Sequence, residues 1–225
     1  SARSDGHFVR QTEWQAAQSV MMGVDDAASM TFTGSPKRPS KLRRAQTLAM
    51  ALSILAVHGG ERVGLTHLGE PPRGGRAQLL RMAQALMDGH DEGDYGVPRP
   101  RAMPAGSRAV FFSDFLGDPA PIETVLGRAA DRGVKGALVQ VLDPDEEAFP
   151  YDGRTVFESM SGAIRFETLK AKSLREEYLA RLAERKDRLA QAARRTGWRY
   201  HVHHTDQSGE PTLLWLYRAL EKVRA

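Results

Sequence analysis

The chain has 225 residues and no cysteine. That excludes disulfide frameworks, thiolate zinc sites and cysteine nucleophiles, and is compatible with a cytoplasmic setting. A membrane-spanning run is also missing. The longest apolar stretch, Ala45 to Val57, is broken by Gln46 and Ser53 and is too short to cross a bilayer. The first residues, Ser1 to Gly6, lack the basic and apolar regions of a secretory signal. No Gly-x-x-x-x-Gly-Lys-Ser/Thr phosphate loop occurs, and no Gly-x-Ser-x-Gly nucleophile elbow. Excess charge is scarce too: the net value is +4, which permits an anionic partner without requiring nucleic acid.

What is there is a globular composition, 41% apolar and 27% charged. The stretch from Ser19 to Met30 organises the rest. Ser19 to Val24 is a short apolar run, as expected of a strand covered on both faces. It ends abruptly in Asp25-Asp26-Ala27-Ala28-Ser29, an acidic, small-residue turn. A loop with Gly34, Pro36 and Pro39 follows. From Lys41 to His58 the residues Leu42, Ala45, Leu48, Ala49, Leu52, Leu55 and Ala56 recur at helical spacing, and Gly59-Gly60 closes the helix.

The alternation continues. Strands are expected at Arg62 to Leu68, Ala109 to Phe112, Ala137 to Leu142 and Trp198 to His204. Helices are expected at Arg76 to Met87 (Leu79, Leu80, Ala83, Leu86 and Met87 inward), from Pro121 (Ile122, Val125, Leu126, Ala129), at Lys170 to Thr196, and from Pro211 (Leu213, Leu216, Tyr217, Leu220, Val223). Phe8 to Gln18, with Phe8, Val9 and Trp14, reads as a lead-in strand or turn, and Asp88 to Gly106 as a loop or linker. Thr155–Phe157 and Ala163–Phe166 read as a hairpin, an insertion spanning 151–168. The expected fold is one α/β domain over 1–225: a doubly wound, mostly parallel Rossmann-type sheet with helices on both faces.

In such sheets ligands sit in the crevice outside the strands' carboxyl ends. Asp25 and Ser29 emerge there, and Ser113-Asp114-Phe115 ends a later strand. Capping or turn-tightening by Asp25 and Ser29 is the alternative reading. Lys37, Arg38, Lys41, Arg43 and Arg44, with Arg73 and Arg76 from the next loop, form a potential basic rim for a phosphate or an acidic peptide. His201 and His203 share a strand face and His204 points away, which does not make a closed zinc site. Asp143-Pro144-Asp145-Glu146-Glu147 reads as solvated loop charge.

Three of these places resemble the von Willebrand factor A fold with its metal-ion-dependent adhesion site. Asp25-Asp26-Ala27-Ala28-Ser29 stands where that family has Asp-x-Ser-x-Ser, Gly74-Gly75-Arg76 where it has Gly-Gly-Thr, and Ser113-Asp114-Phe115 where it has Thr-Asp-Gly. Closer still is the resemblance to the bacterial family called domain of unknown function fifty-eight. It rests on Phe8-Val9-Arg10, Glu13-Trp14, Ala28-Ser29-Met30, Gly59 to Leu65, Val110 to Leu116, Val141 to Pro144 and the hairpin around Gly162. It covers nearly the whole chain and implies a von Willebrand A-like fold with no established reaction. It also implies an adaptor role beside a MoxR-type AAA+ ATPase, and a longer parent protein of which Ser1 to Ala225 is a fragment.

In the adhesion-site pattern Mg²⁺ takes octahedral oxygen ligands. Asp25, Ser29 and Asp114 match it, but Ala27 has no ligand atom and Arg76 brings a positive charge. An Arg76–carboxylate cluster in place of the cation is therefore the expectation. The functional expectation is a non-enzymatic protein-interaction domain with a degenerate adhesion-site crevice of Asp25, Ala27, Ser29, Arg76 and Asp114. It has no required cofactor. A Mg²⁺-dependent ligand-binding domain is the first alternative, and anion or nucleic-acid binding through the basic rim the second.

Overall fold

The computed structural model describes residues 17–89, 93–96, 103–151, 155–158, 165–168 and 171–221. The lead-in segment with Phe8, Val9 and Trp14, the hairpin turn around Gly162, and Val97 and Val223 lie outside the described residues.

Five strands form one sheet: β1 (Ser19–Val24), β2 (Arg62–Leu65), β3 (Arg108–Ser113), β4 (Lys135–Leu142) and β7 (Arg199–His204). Their order is β2-β1-β3-β4-β7 and every pairing is parallel. The chain therefore reverses its direction of travel across the sheet between β1 and β3. Beyond β2, Arg73 adds a single antiparallel bridge to Val63. A separate antiparallel pair, β5 (Thr155–Glu158) and β6 (Arg165–Thr168), is the expected hairpin.

The helices are α1 (Lys41–His58), α2 (Arg76–Asp88), α3 (Pro119–Asp131), α4 (Pro144–Ala148), α5 (Ala171–Arg195) and α6 (Glu210–Leu220). Side chains alternate across a strand, so each buried strand feeds two cores. On one face Val20, Met22, Val63, Leu65, Val110, Phe112 and Val139 pack against α1, α2 and α6 through Leu48, Leu52, Met82, Leu86 and Leu216. On the other, Met21, Ala109, Phe111 and Leu138 meet α3 and α5 through Ile122, Leu126, Leu189 and Ala193. Each of the Val, Leu, Ile, Met and Phe side chains among them contributes roughly 1.5–3 kcal/mol when fully buried. Phe111 stacks on Trp198 at 5.5 Å between centroids, and the Trp198 indole donates to the Val134 carbonyl at 3.1 Å. Gly136 lets β4 lie close to β3, since an added Cβ would overlap the Ala109 carbonyl.

The helix ends follow their sequence signals. Ser40 accepts from the Arg43 amide at the start of α1, and Asp118 from Ala120 before Pro119 of α3. Several expectations need correction. The strand after α1 stops at Leu65, where a turn begins at Thr66. Asp143 to Glu147 is not a solvated loop: Asp143 and Glu146 form a capping box that starts α4. Leu55, Leu80, Met87 and Tyr217 are exposed, while Lys41, Ser53, Gln78 and Thr212 are buried. In α1, α2 and α6 the inward stripe is narrower than the apolar lettering and includes buried polar residues, whereas the expected face of α3 is buried throughout.

Candidate functional site

Asp25 leaves β1 and Asp114 leaves β3, the two strands flanking the point where the strand order reverses. That is where an open α/β sheet forms its crevice. The Asp25 amide continues the ladder to the Phe112 carbonyl at 2.9 Å, which fixes the side chain at the crevice floor. One carboxylate oxygen accepts from the Ala27 amide at 3.0 Å and the other from the Ser113 hydroxyl at 2.5 Å. Burial pushes the Asp25 carboxyl up to about 6, against those two hydrogen bonds. Ser113 in turn accepts the Phe115 amide at 2.9 Å, and Phe115 sits in the left-handed region at φ 50°. The Ser113 hydroxyl is thus both donating and accepting.

Asp114 is fully buried and is held on every side. Its Oδ1 accepts the Leu116 amide at 3.0 Å, its carbonyl accepts Gln140 at 2.7 Å, and its amide points at the Met30 sulfur at 3.2 Å. Its Oδ2 receives the Lys41 ammonium at 2.8 Å. Lys41 is the first residue of α1 and only 1% exposed. The same ammonium lies 2.6 Å from Glu146 and 5.7 Å from the centre of the Phe32 ring. Burial alone would depress the ammonium, but Asp114 and Glu146 outweigh it and hold Lys41 above its ordinary value.

The polar seam runs on along the sheet edge. Glu146 accepts the Asp143 amide at 2.8 Å, and Asp143 takes Arg38 in two-point contact at 2.8 and 3.2 Å. Arg38 also reaches Asp145 at 2.9 Å, and the Thr205 hydroxyl, just past β7, donates to Asp143 at 3.0 Å. Burial would raise the Asp143 carboxyl, yet the Asp145 amide and Arg38 bring it below its usual range. The ends of β1, β3, β4 and β7 are therefore joined through ionic and hydrogen-bonded groups.

The segment Gly93–Gly96 lies over the first part of the crevice. The Gly93 and Asp94 carbonyls accept the Ala28 and Ser29 amides, each at 2.9 Å. A Cβ added at Gly96 would overlap the Asp25 carboxylate. Tyr95, 53% exposed, packs on Gly117. Two further tyrosines join it around the seam: Tyr151 and Tyr178 each contact the Phe149 ring, at 5.2 and 5.1 Å. Burial, then the nearby Asp114 and Glu146 charges, holds the Tyr95 and Tyr178 hydroxyls above their ordinary values. Tyr151 is raised by burial, then by Asp145, Glu146 and Asp143.

The expected site residues divide clearly. Asp25, Ala27, Ser29 and Asp114 meet in the crevice, Ala27 and Ser29 both buried and the Ser29 hydroxyl without a hydrogen-bond partner. Arg76 is exposed at the start of α2 and forms no ion pair with Asp25 or Asp114. The cation beside Asp114 is Lys41 instead, because α1 starts at the crevice and Lys41 is in phase with buried Ala45, Leu48 and Leu52. That phase was the available signal. The basic rim is split: Arg38 and Lys41 are paired with acids and Arg44 donates to the Thr205 carbonyl at 2.8 Å, while Lys37, Arg43, Arg73 and Arg76 are exposed. His201 and His203 share the Thr212 hydroxyl at 3.1 and 2.9 Å, and His204 pairs with Glu147 at 2.6 Å.

Mg²⁺ does not fit these residues. It needs six oxygens in near-octahedral array. Both Asp25 oxygens already accept hydrogen bonds, Asp114 is neutralised by Lys41, Ala27 offers a methyl group, and only the Ser29 hydroxyl is uncommitted. Among the described residues, no group of three or more His, Asp or Glu side chains is arranged to hold a metal ion.

This sheet order, with its crevice at the reversal point, is that of an open, doubly wound α/β domain, and its likeness to solved structures makes the fold von Willebrand A-like. Two solved structures share the architecture. An aerotolerance-related membrane protein from Bacteroides fragilis is 13% identical, covers 91% of this chain and 98% of its own, and superposes with a TM-score of 0.52. The conserved hypothetical protein BatB from Bacteroides thetaiotaomicron is 12% identical, covers 90% and 98%, and gives 0.51. None of the curated proteins matches the sequence. The chain belongs to the family described as Protein of unknown function DUF58, whose profile matches residues 1–188.

Proposed function

We propose that this DUF58 domain is a non-enzymatic adaptor whose partner surface lies over the crevice that Asp25, Ser29 and Asp114 floor, rimmed by Tyr95, Tyr151 and Tyr178. One observation carries this reading: three exposed or half-buried tyrosines, distant in sequence, gather around a seam in which Lys41 and Arg38 each bind two carboxylates. Tyrosine rings give large contact area at low entropic cost, and they are enriched at interface centres. The ion pairs and hydrogen bonds of the seam hold the crevice floor in place, and the Ser113 hydroxyl is engaged with the Asp25 carboxylate and the Phe115 amide. No helix of the described residues is long and apolar enough to cross a membrane. The partner we propose is a MoxR-type AAA+ ATPase, which the family resemblance suggests.

The test is capture of a purified MoxR-type ATPase by the immobilised 225-residue chain. Tyr95→Ala and Asp25→Asn should each weaken capture by about tenfold or more, the effect of losing one interface anchor. Undiminished capture by both variants would remove the crevice from the proposal. The anion-binding reading is less supported, because three of its seven cations, Arg38, Lys41 and Arg44, are already engaged by protein groups.

A further inference from the structure

We infer that Lys41 is the resident cation of this crevice, so that the domain works without a divalent metal where the adhesion-site pattern would employ one. This rests on the reading of the crevice as the partner surface, but its test does not use the partner. The argument is one of position and charge. The Lys41 ammonium is 2.8 Å from Asp114, the aspartate that stands in the Thr-Asp-Gly place, and 2.6 Å from Glu146. Lys41 is 1% exposed, so the ammonium neither exchanges with solvent ions nor offers itself to a ligand. A lysine at a helix N-terminus faces the positive end of the dipole, which opposes it. Its two carboxylates must supply more than that dipole and the burial of the charge remove.

Two consequences follow. A divalent ion brought to Asp114 would meet a fixed positive charge within a few ångströms, in surroundings that screen it poorly. And a partner carboxylate, the group that completes a metal shell in the adhesion-site pattern, has no cation here to bind, because Lys41 is buried between two acids that already outnumber it. Recognition therefore passes through the tyrosine rim and the hydrogen-bonding edge rather than through a metal-bridged acid. The expected Arg76 cluster is replaced by a cation from a different element, buried rather than exposed.

The test is calorimetric titration of Mg²⁺ and Mn²⁺ into the chain and its variants. The wild type should give no saturable heat at millimolar metal. Lys41→Ala removes the ammonium and leaves the Asp114 and Glu146 carboxylates that it joins. It should bind Mn²⁺ saturably, about tenfold or more tighter than any residual wild-type binding, and Asp114→Asn added to it should abolish that site. Saturable wild-type binding that Asp25→Asn or Asp114→Asn abolishes would overturn the inference. So would a folded Lys41→Ala that stays blind to Mn²⁺. Should Lys41→Ala not fold, Lys41→Arg keeps the charge and must remain blind to both metals along with the wild type; binding by either overturns it.

Discussion

Replacing Lys41 by methionine tests the seam energetically. The side chain keeps its length and loses its charge. What remains is Asp114 at 1% and Glu146 at 11% side-chain exposure, facing each other without the ammonium that lies 2.8 and 2.6 Å from them. Breaking a buried pair by removing one partner costs roughly 3–5 kcal/mol. For a domain of this size 1 kcal/mol shifts Tm by about 2–4 °C, so the variant should melt about 6–20 °C lower at pH 7.5. The loss should shrink on acidification. Burial already holds the Glu146 carboxyl above its ordinary range, and in the variant no ammonium opposes that burial. Glu146 then contributes stability at low pH that is lost as pH rises through its folded value. In the wild type Lys41 is raised, so its contribution is complete below its unfolded value of 10.5 and constant across the same window. Adding Asp114→Asn and Glu146→Gln to Lys41→Met removes the stranded charges and should recover most of the loss. Scanning calorimetry between pH 5 and 8 reads all three proteins. A loss below about 1 kcal/mol at pH 7.5, the range of solvated surface pairs, would refute the seam's buried character.

The same reasoning extends to neighbouring positions. Asp25 is raised from 3.8 to about 6 by burial, so its contribution is full below about pH 4 and lost as pH rises through 6. Asp25→Asn should therefore raise Tm at pH 8, by an amount equivalent to at most about 3 kcal/mol, and change little at pH 4; a gain equal at both pH values would refute burial as the cause. Gly96→Ala puts a methyl group into the Asp25 carboxylate and should expel Gly93–Gly96. Hydrogen exchange at the Ala28 and Ser29 amides should then accelerate while the β1 and β3 amides stay protected; unchanged exchange would mean those amides do not depend on the Gly93 and Asp94 carbonyls.

Much of the framework was legible because short-range rules suffice for it. Ser19–Val24 and Lys41–His58 are each bounded by their own signals, an acidic turn in one case and Ser40 and Gly59-Gly60 in the other. The alternation of strand and helix then implied a parallel sheet with its crevice at Asp25 and Asp114. Lys41 was hidden by its neighbours: Lys37, Arg38, Arg43 and Arg44 make it look like one more solvated charge, although its helical phase places it inward. The acids after Asp143 misled in the same way, since the Asp-Pro-x-Glu pattern of a capping box was submerged in a charged run. Tyr95, Tyr151 and Tyr178 come from a loop, a segment after α4, and α5. Their convergence depends on tertiary packing, which no local pattern encodes. Arg76 shows the converse error: a position inferred from a motif's place was assigned an inward role, and the helix start at Gly75 leaves it exposed.

The most direct test of the crevice as an interaction surface is an amide NMR spectrum of the labelled chain with and without a MoxR-type ATPase. The account predicts perturbations confined to the sheet's carboxyl edge, at Ser29, Tyr95, Asp114 and Tyr151, with the exposed Leu80 and Met87 of α2 and Leu214 and Tyr217 of α6 unmoved. Perturbations centred on those helix faces, with the crevice amides unchanged, would contradict it.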